Sequence, residues 1–304
     1  MKQAISISIG SSKRDKIVET ELLGQKIQIE RRGTDGDMEV AANLYRELDG
    51  KVDAFGIGGA LLGLMVDEKW YTMHSVKPLV RFIKKTPAAD GTGLKMTLER
   101  MAAQVLEENI GPLSDKNVML TSGVDRYGLF RSFYDKGCSC RIADLMFALG
   151  LNIPIHSDER LKFVASLIAP PLGRVPFDWL YPTGEKQDVR TPKFGQHFAW
   201  ADVVAGDCHY ITKYMPDDMR GKAVVTNTTT QHDLKLFREA GVKYLVTTTP
   251  NLDGRTFGTN AMEASILAVT GWKEPVDYTN PEKLFGVMRE AIKEIGIRPQ
   301  FQEL

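Results

Sequence analysis

Residues 117–144 read NVMLTSGVDRYGLFRSFYDKGCSCRIAD. An apolar run enters a turn containing Gly123 and Gly128, and a helix pattern follows before a second apolar run that ends at Asp144. An acid about 20 residues after the first glycine is typical of a dinucleotide-binding βαβ unit, where the helix N-terminus receives a pyrophosphate and the acid binds a ribose. The pattern departs from this layout at Asp125, which stands where a middle glycine is usual.

Composition limits the classes of protein and partner. The chain has 304 residues, 43% of them hydrophobic and 26% charged, which is typical of a soluble globular protein. Lys plus Arg and Asp plus Glu both total 39, so the zero net charge argues against a nucleic acid or an anionic membrane as the main partner. No apolar run spans a bilayer or forms a signal peptide, and three cysteines suit a reducing cytoplasm. We therefore expect a cytoplasmic protein with a small-molecule substrate, and a homodimer is left open.

Strand and helix patterns alternate along the chain, which predicts an α/β fold. We expect an N-terminal α/β domain of substrate type over 1–93, a connecting helix over 94–111 and a Rossmann-like, mainly parallel sheet domain over 112–275. A C-terminal helix occupies 276–304, and residues 169–198, rich in Pro, Gly and aromatics, are expected to form an ordered inserted loop. The strands predicted in the second domain are 117–121, 140–144, 202–206, 223–227 and 244–248.

The strand ends of the second domain are the expected ligand site, because ligands of such folds lie outside the carboxyl ends of the strands. Asp144 would bind a ribose and repel a 2′-phosphate, which predicts NAD over NADP, although Arg141 nearby leaves NADP open. An ordinary turn without a ligand is the alternative for this motif. The residues predicted to bind the cofactor are Ser122, Gly123, Asp125, Arg126, Gly128, Asp144, Thr226 and Asn227.

The first domain carries two further candidate groups. Ser11 and Ser12 follow the first predicted strand and could bind carboxylate or hydroxyl groups of a substrate. Asp90 with Lys85 or Lys95 could transfer a proton, whereas a glycine-rich helix start is the structural alternative. The cysteines and His209 lack zinc-site spacing, so no metal is expected.

The order of these motifs resembles that of shikimate/quinate 5-dehydrogenases, and more broadly the amino-acid-dehydrogenase-like two-domain fold. The resemblance rests on three segments: ADGTG at 89–93, FGTNAMEA at 257–264 and AVTGWKEP at 268–275. It implies that Asp90 and a lysine exchange a proton with a hydroxyl while a hydride moves to the nicotinamide. It also implies that Ser11, Ser12 and Asn260 contact the substrate.

These patterns together predict an NAD(P)-dependent oxidoreductase that oxidises a secondary alcohol of a small hydroxy carboxylate, of quinate or shikimate type. Two other functions stay open. Asp125 at the glycine position favours a non-catalytic ligand-binding or regulatory protein on the same fold. The Thr-rich strand ends favour a lyase or transferase that acts on a phosphorylated metabolite.

Overall fold

The structure is a computed structural model that describes residues 1–177, 190–249, 251–252 and 255–304. Its strands are, in chain order, β1 (Lys2–Ser8), β2 (Lys16–Leu22), β3 (Gln25–Gly33), β4 (Ala54–Gly58), β5 (Gly63–Val66), β6 (Lys69–Thr72), β7 (Ala88–Ala89), β8 (Asn117–Leu120), β9 (Ser139–Ile142), β10 (Val203–Gly206), β11 (Ala223–Thr226), β12 (Tyr244–Thr247), β13 (Asn251–Leu252), β14 (Arg255–Thr256) and β15 (Gln300–Glu303). The strands expected in the second domain from the sequence all appear, each within a residue or two of its expected end.

The helices alternate with these strands. They are α1 (Met38–Leu48), α2 (Lys77–Val80), α3 (Thr92–Thr97), α4 (Ala102–Ile110), α5 (Tyr127–Tyr134), α6 (Asp144–Leu149), α7 (Asp158–Leu172), α8 (Gly195–Trp200), α9 (Cys208–Tyr214), α10 (Gln231–Glu239), α11 (Thr259–Val269) and α12 (Glu282–Ile295). The single connecting helix expected over 94–111 is instead divided into α3 and α4, with a 3-10 turn at Glu99–Met101 between them. The loop expected over 169–198 lies partly outside the described residues, and its described ends contain parts of α7 and α8.

The chain divides into two compact units that are not continuous in sequence. Unit 1 comprises Met1–Leu94, Leu167–Gln187 and Asn251–Ile297, and unit 2 comprises Lys95–Ser166, Asp188–Pro250 and Arg298–Leu304. The first boundary lies where the sequence places it, but 251–275 packs in unit 1 and not with the Rossmann-like sheet. The final segment, 276–304, is likewise no separate element, because α12 lies in unit 1 whereas β15 joins the sheet of unit 2.

Unit 1 is built on a five-stranded sheet of order β2-β3-β1-β4-β7. Only β2 runs antiparallel to its neighbour in this sheet. Helix α11 is buried along nearly its whole length and contacts β1, β3 and β4. A helix that is apolar on all sides is stable only inside a core, which explains why 259–269 belongs to unit 1 in spite of its late position in the chain.

Unit 2 is a doubly wound sheet of order β15-β12-β11-β10-β8-β9, in which all pairs except β12 with β15 are parallel. Its first strand, β8, is followed by β9 on one side, and the chain then returns to β10 on the other side. This reversal creates a switch point between β8 and β10, where α/β sheets bind ligands. The sheet therefore has the Rossmann-like α/β architecture expected from the sequence.

Candidate functional site

The residues that follow β8, β10, β11 and β12 lie at one edge of the unit 2 sheet, because these strands are parallel. We call this the carboxyl edge and define it as residues 121–126, 207–210, 227–230 and 248–249. Gly206, the last residue of β10, has φ of 145°, and a Cβ on it would lie 2.0 Å from Thr121 Oγ1. Only glycine fits this close approach at the switch point.

The turn after β8 is closed by Asp144. Its carboxylate accepts hydrogen bonds from the backbone N–H groups of Gly123 (2.6 Å) and Val124 (3.0 Å). A Cβ on Gly123 would lie 2.4 Å from Ile142 Cγ2, so the turn packs directly on β9. Burial raises the pKa of Asp144 to about 6, with the nearby Asp125 adding to this and the two amides opposing it. The structure thus brings Gly123 and Asp144 together, with the turn amides already bonded to a carboxylate.

Asp125 is paired with a buried lysine. Lys95 Nζ lies 2.6 Å from Asp125 Oδ1. Burial favours the neutral acid, but the charges of Lys95 and Arg126 outweigh it, so the pKa of Asp125 is lowered. Gly128, another predicted cofactor residue, serves helix packing, since a Cβ on it would lie 2.0 Å from the backbone oxygen of Lys95.

Arg126 is buried between two carboxylates. It forms an ion pair with Glu99 and a second with Asp207 Oδ2 at 2.9 Å. Burial lowers the pKa of Arg126, but Glu99, Asp207 and Asp125 together raise it further, so the guanidinium is always charged. Burial raises the pKa of Glu99 although Arg126 opposes the shift. With both terminal nitrogens held by carboxylates, Arg126 lies in an ion-pair cluster and not in an open phosphate site.

The next strand ends extend this network. Asn227 Nδ2 donates to Asp207 Oδ2 (3.0 Å), and Thr226 Oγ1 donates to Asn227 Oδ1 (3.1 Å). Asp207 also accepts from His209 N (3.0 Å) and so caps α9. Thr226 and Asn227 therefore lie beside the other predicted cofactor residues. Sequence reasoning missed Asp207 and Glu99; the position of Asp207 directly after a strand-ending glycine was the available signal.

Several buried polar atoms at this edge have no hydrogen-bond partner within the described part of the chain: Thr121 Oγ1, Ser122 Oγ, Thr248 Oγ1, Glu99 Oε2 and Arg126 Nε. Buried polar groups are nearly always paired, so a cluster of exceptions calls for an explanation. These hydroxyl, carboxylate and guanidinium atoms are groups that a bound polar ligand could contact.

An aromatic cluster borders the edge. Phe147 of α6 stacks on Tyr214 of α9 with ring centroids 4.7 Å apart, and Phe194 packs against Phe147 edge-on at 5.5 Å. Tyr210, one turn before Tyr214, is 41% exposed. Burial of its hydroxyl raises the pKa of Tyr210 to about 12, and the charges of Asp207, Asp125 and Asp144 contribute. The phenol therefore lies within electrostatic reach of all three carboxylates.

In unit 1, Asp90 is buried and bonded to the backbone. Its Oδ2 accepts from Leu62 N (2.7 Å) and its Oδ1 from Thr92 N (3.0 Å). Lys85 is exposed before β7, whereas Asp90 follows that strand, so the strand separates them. Lys95 pairs with Asp125 instead. The structure therefore does not assemble the expected Asp90–Lys85 pair, and the ammonium of Lys95 is held elsewhere.

A second buried acid accompanies Asp90, and sequence reasoning missed it. Glu263 of α11 accepts from Leu94 N (3.2 Å) and from the Tyr278 hydroxyl (3.3 Å). That hydroxyl in turn accepts from Asp90 N (3.1 Å). Burial, with the charge of Asp90, raises the pKa of Glu263 to about 8. The three groups form one network that ties α11 to the start of α3.

The predicted substrate residues make local contacts. Ser11 Oγ accepts from Lys13 N (3.2 Å), and Ser12 N donates to Asp35 Oδ1 (2.8 Å). Asn260 Nδ2 donates to Ser6 Oγ of β1 at 2.6 Å. The serines thus shape the loop after β1, and Asn260 bonds to a serine of the strand itself.

The carboxyl edge fits part of a dinucleotide. Asp144 lies at the turn where the acid of a ribose site belongs, and the close packing at Gly123 and Gly206 leaves the backbone accessible. The pyrophosphate side fits less well, because the amides of Gly123 and Val124 are bonded to Asp144 and both cations are paired. In the parts of the chain that are described, no group of His, Cys, Asp and Glu is arranged to hold a metal ion.

Two family models match the chain. Residues 93–304 match a domain of unknown function, DUF8754, and residues 3–90 match a second, DUF8753. The chain belongs to the DUF8754 family. The boundary between the two models falls directly after Asp90. A comparison of this DUF8754 protein with curated proteins found no match.

Solved structures show only a distant similarity to this DUF8754 protein. A Mycobacterium smegmatis protein is 11% identical with a TM-score of 0.34, covering 100% of this chain and 91% of its own. A bifunctional 5,10-methylenetetrahydrofolate dehydrogenase/cyclohydrolase from Thermoplasma acidophilum is 10% identical with a TM-score of 0.30, covering 97% and 89%. One of the subunits of dipicolinate synthase from Bacillus halodurans is 10% identical with a TM-score of 0.27, covering 79% and 87%. Scores this low do not establish a common fold, so the Rossmann-like assignment rests on the strand order itself.

None of the helices within the described ranges has the length and apolar character needed to cross a bilayer.

Proposed function

We propose that this protein is an NAD-dependent oxidoreductase that acts on a secondary alcohol of a small hydroxy carboxylate, of quinate or shikimate type. The observation that carries the proposal is the Gly123 turn at the switch point with Asp144 of the second strand against it. This combination of strand order, turn and acid is the arrangement in which doubly wound sheets bind dinucleotides. The substrate class rests on the resemblance of the sequence segments alone.

Ser122, Gly123 and Asp144 would hold the adenosine half of the cofactor, and Thr226 and Asn227 lie at the strand ends beyond the switch point. A bound nicotinamide would supply the hydride acceptor. The chain's own contribution is to position the cofactor and to exclude water. Asp90 stays a candidate for proton transfer, although both its carboxylate oxygens accept backbone N–H groups.

NAD is favoured over NADP by the position of Arg141. Its guanidinium lies 3.8 Å from the centre of the Trp200 ring and 3.3 Å from His197 Nδ1. An arginine held in this way is engaged by other partners, and the charge of Asp144 would repel a 2′-phosphate. Both features support an unphosphorylated ribose.

Ligand binding tests the proposal directly. Isothermal titration with NAD and NADP should show binding of NAD and a clear preference over NADP. Asp144→Asn should reduce that preference, whereas Asp115→Asn, which removes an exposed acid before β8, should leave it unchanged. NADH formation with quinate, shikimate and related hydroxy acids then tests the chemistry. Failure of both dinucleotides to bind would refute the proposal.

A non-catalytic ligand-binding protein on the same fold is the second candidate. It is favoured by the bond of Asp144 to the turn amides and by the separation of Asp90 from Lys85. This candidate predicts ligand binding without turnover for any hydroxy acid tested.

A further inference from the structure

The carboxyl edge of unit 2 carries more acids than bases. Its described charged side chains are two cations, Lys95 and Arg126, and four carboxyl groups, those of Glu99, Asp125, Asp144 and Asp207. Both cations are consumed by ion pairs inside the cluster. A ligand group placed there meets a negative field, and such a field favours positively charged groups over neutral ones of the same shape.

Two further observations indicate that a ligand is involved. Thr121 and Thr248 are each 1% exposed, and their hydroxyls have no partner in the described chain. One residue follows β8 and the other follows β12, so the unpaired groups bracket the strand ends at which Asp207 and Asn227 lie. Polar atoms buried without partners are costly unless something binds them.

Tyr210 adds an aromatic face to this acidic edge. The ring lies on α9, three residues after Asp207, and is partly open to solvent. An aromatic ring near carboxylates is a common way to recognise organic cations, through cation–π attraction combined with charge. Since no metal-binding cluster is present in the described residues, an organic cation is the chemistry that fits.

We propose that the carboxyl edge selects the oxidised, positively charged nicotinamide ring over the reduced, neutral ring, with Asp207 and Tyr210 as the discriminating residues. The inference rests on the proposed function. The adenosine half belongs on the β9 side, next to Asp144, so the nicotinamide belongs on the side of β10 to β12, where Asp207 and Tyr210 lie. Selection of this kind keeps the protein loaded with the form that accepts a hydride.

The ratio of the dissociation constants of NADH and NAD⁺ isolates the charge of the ring, because both carry the same pyrophosphate. Titration at pH 7.5 and low salt should give a ratio of about ten in favour of NAD⁺, the effect of roughly one nearby unit charge at a partly exposed site. Asp207→Asn should reduce the ratio several-fold, and asparagine can still cap α9. Tyr210→Leu should also reduce it, while Tyr210→Phe should retain it.

Two control variants separate this effect from general electrostatics. Asp144→Asn should change both dissociation constants by the same factor, because Asp144 lies on the adenosine side. Asp115→Asn should change neither. Thermal unfolding of each variant checks its folding, and the exposed Tyr210 pair keeps the test valid if Asp207→Asn is unstable. A wild-type ratio at or below one, or a ratio unaffected by both Asp207→Asn and Tyr210→Leu, would overturn the inference.

A smaller probe distinguishes this inference from the proposed function. If neither dinucleotide binds, the proposed function fails, and 1-methylnicotinamide can still be compared with neutral nicotinamide by NMR. Binding of the cation alone, with shifts that Tyr210→Leu removes, supports selection at this edge. Equal binding of both compounds, or binding of neither, overturns it.

Discussion

Glu263 is a single residue whose chemistry is set by its surroundings. Its side chain is fully buried, and its pKa is raised from 4.5 to about 8 by burial and by the charge of Asp90. The carboxyl group is therefore mainly protonated at neutral pH. A group whose pKa is higher in the folded state stabilises the fold below its unfolded pKa, and this contribution is lost as pH rises through the folded pKa.

We expect Glu263→Gln to fold and to remove this pH dependence. The free energy of unfolding of the wild type, relative to Glu263→Gln, should fall by more than about 1 kcal/mol between pH 5 and pH 9. Glu263→Ala should cost about 1–3 kcal/mol at pH 7, because Leu94 N and the Tyr278 hydroxyl lose their partner. Urea denaturation across this pH range provides the measurement. A constant difference between wild type and Glu263→Gln would show that Glu263 does not titrate in this range.

At the scale of elements, α10 begins with a complete capping box. Thr230 Oγ1 accepts from Asp233 N (3.2 Å), and Asp233 Oδ2 accepts from Thr230 N (2.7 Å). Thr230→Ala should therefore lower the free energy of unfolding by about 1 kcal/mol. Thr229→Ala, one residue upstream and outside the box, is the matched control and should change it by much less. Chemical denaturation of both variants decides the matter, and equal losses would contradict the assigned cap.

At the scale of the whole molecule, the chain passes between its two units at several points, so neither unit is one continuous segment. The sheet of unit 1 packs against α11, which lies more than 150 residues after β7 in the printed sequence. A fragment of residues 1–93 would expose the face of β1, β3 and β4 that α11 covers. Exposed apolar surface of this kind opposes independent folding.

We therefore expect the 1–93 fragment to lack a cooperative thermal transition by circular dichroism. Addition of a 251–297 peptide, which restores α11 and α12, should recover at least part of the transition. The same peptide with Ala264→Asp, which places a charge on the buried helix, is the control and should not recover it. Cooperative unfolding of 1–93 alone would show that this part is a self-sufficient domain.

Local patterns in the sequence were sufficient to predict the elements of unit 2. Alternation of apolar runs and helix periodicity located β8 to β12, and the spacing from Gly123 to Asp144 correctly indicated that these residues meet. Asp37 was also one of two candidates for the α1 cap, and its Oδ1 does accept from Val40 N (2.9 Å). These features depend on residues close in sequence or on neighbouring strands, where pattern and geometry are directly linked.

The sequence by itself determined the α/β class, the parallel strand ends and the residue types available for a ligand. Only the tertiary structure decided how these groups pair: Lys95 with Asp125, Arg126 with Glu99 and Asp207, and Glu263 with Tyr278. It also decided that α11 packs in unit 1 and that β15 completes the sheet of unit 2. The physical reason is that ion pairs and core packing join residues far apart in the chain, and no periodicity or spacing specifies which distant partner a buried charge or an apolar helix will meet.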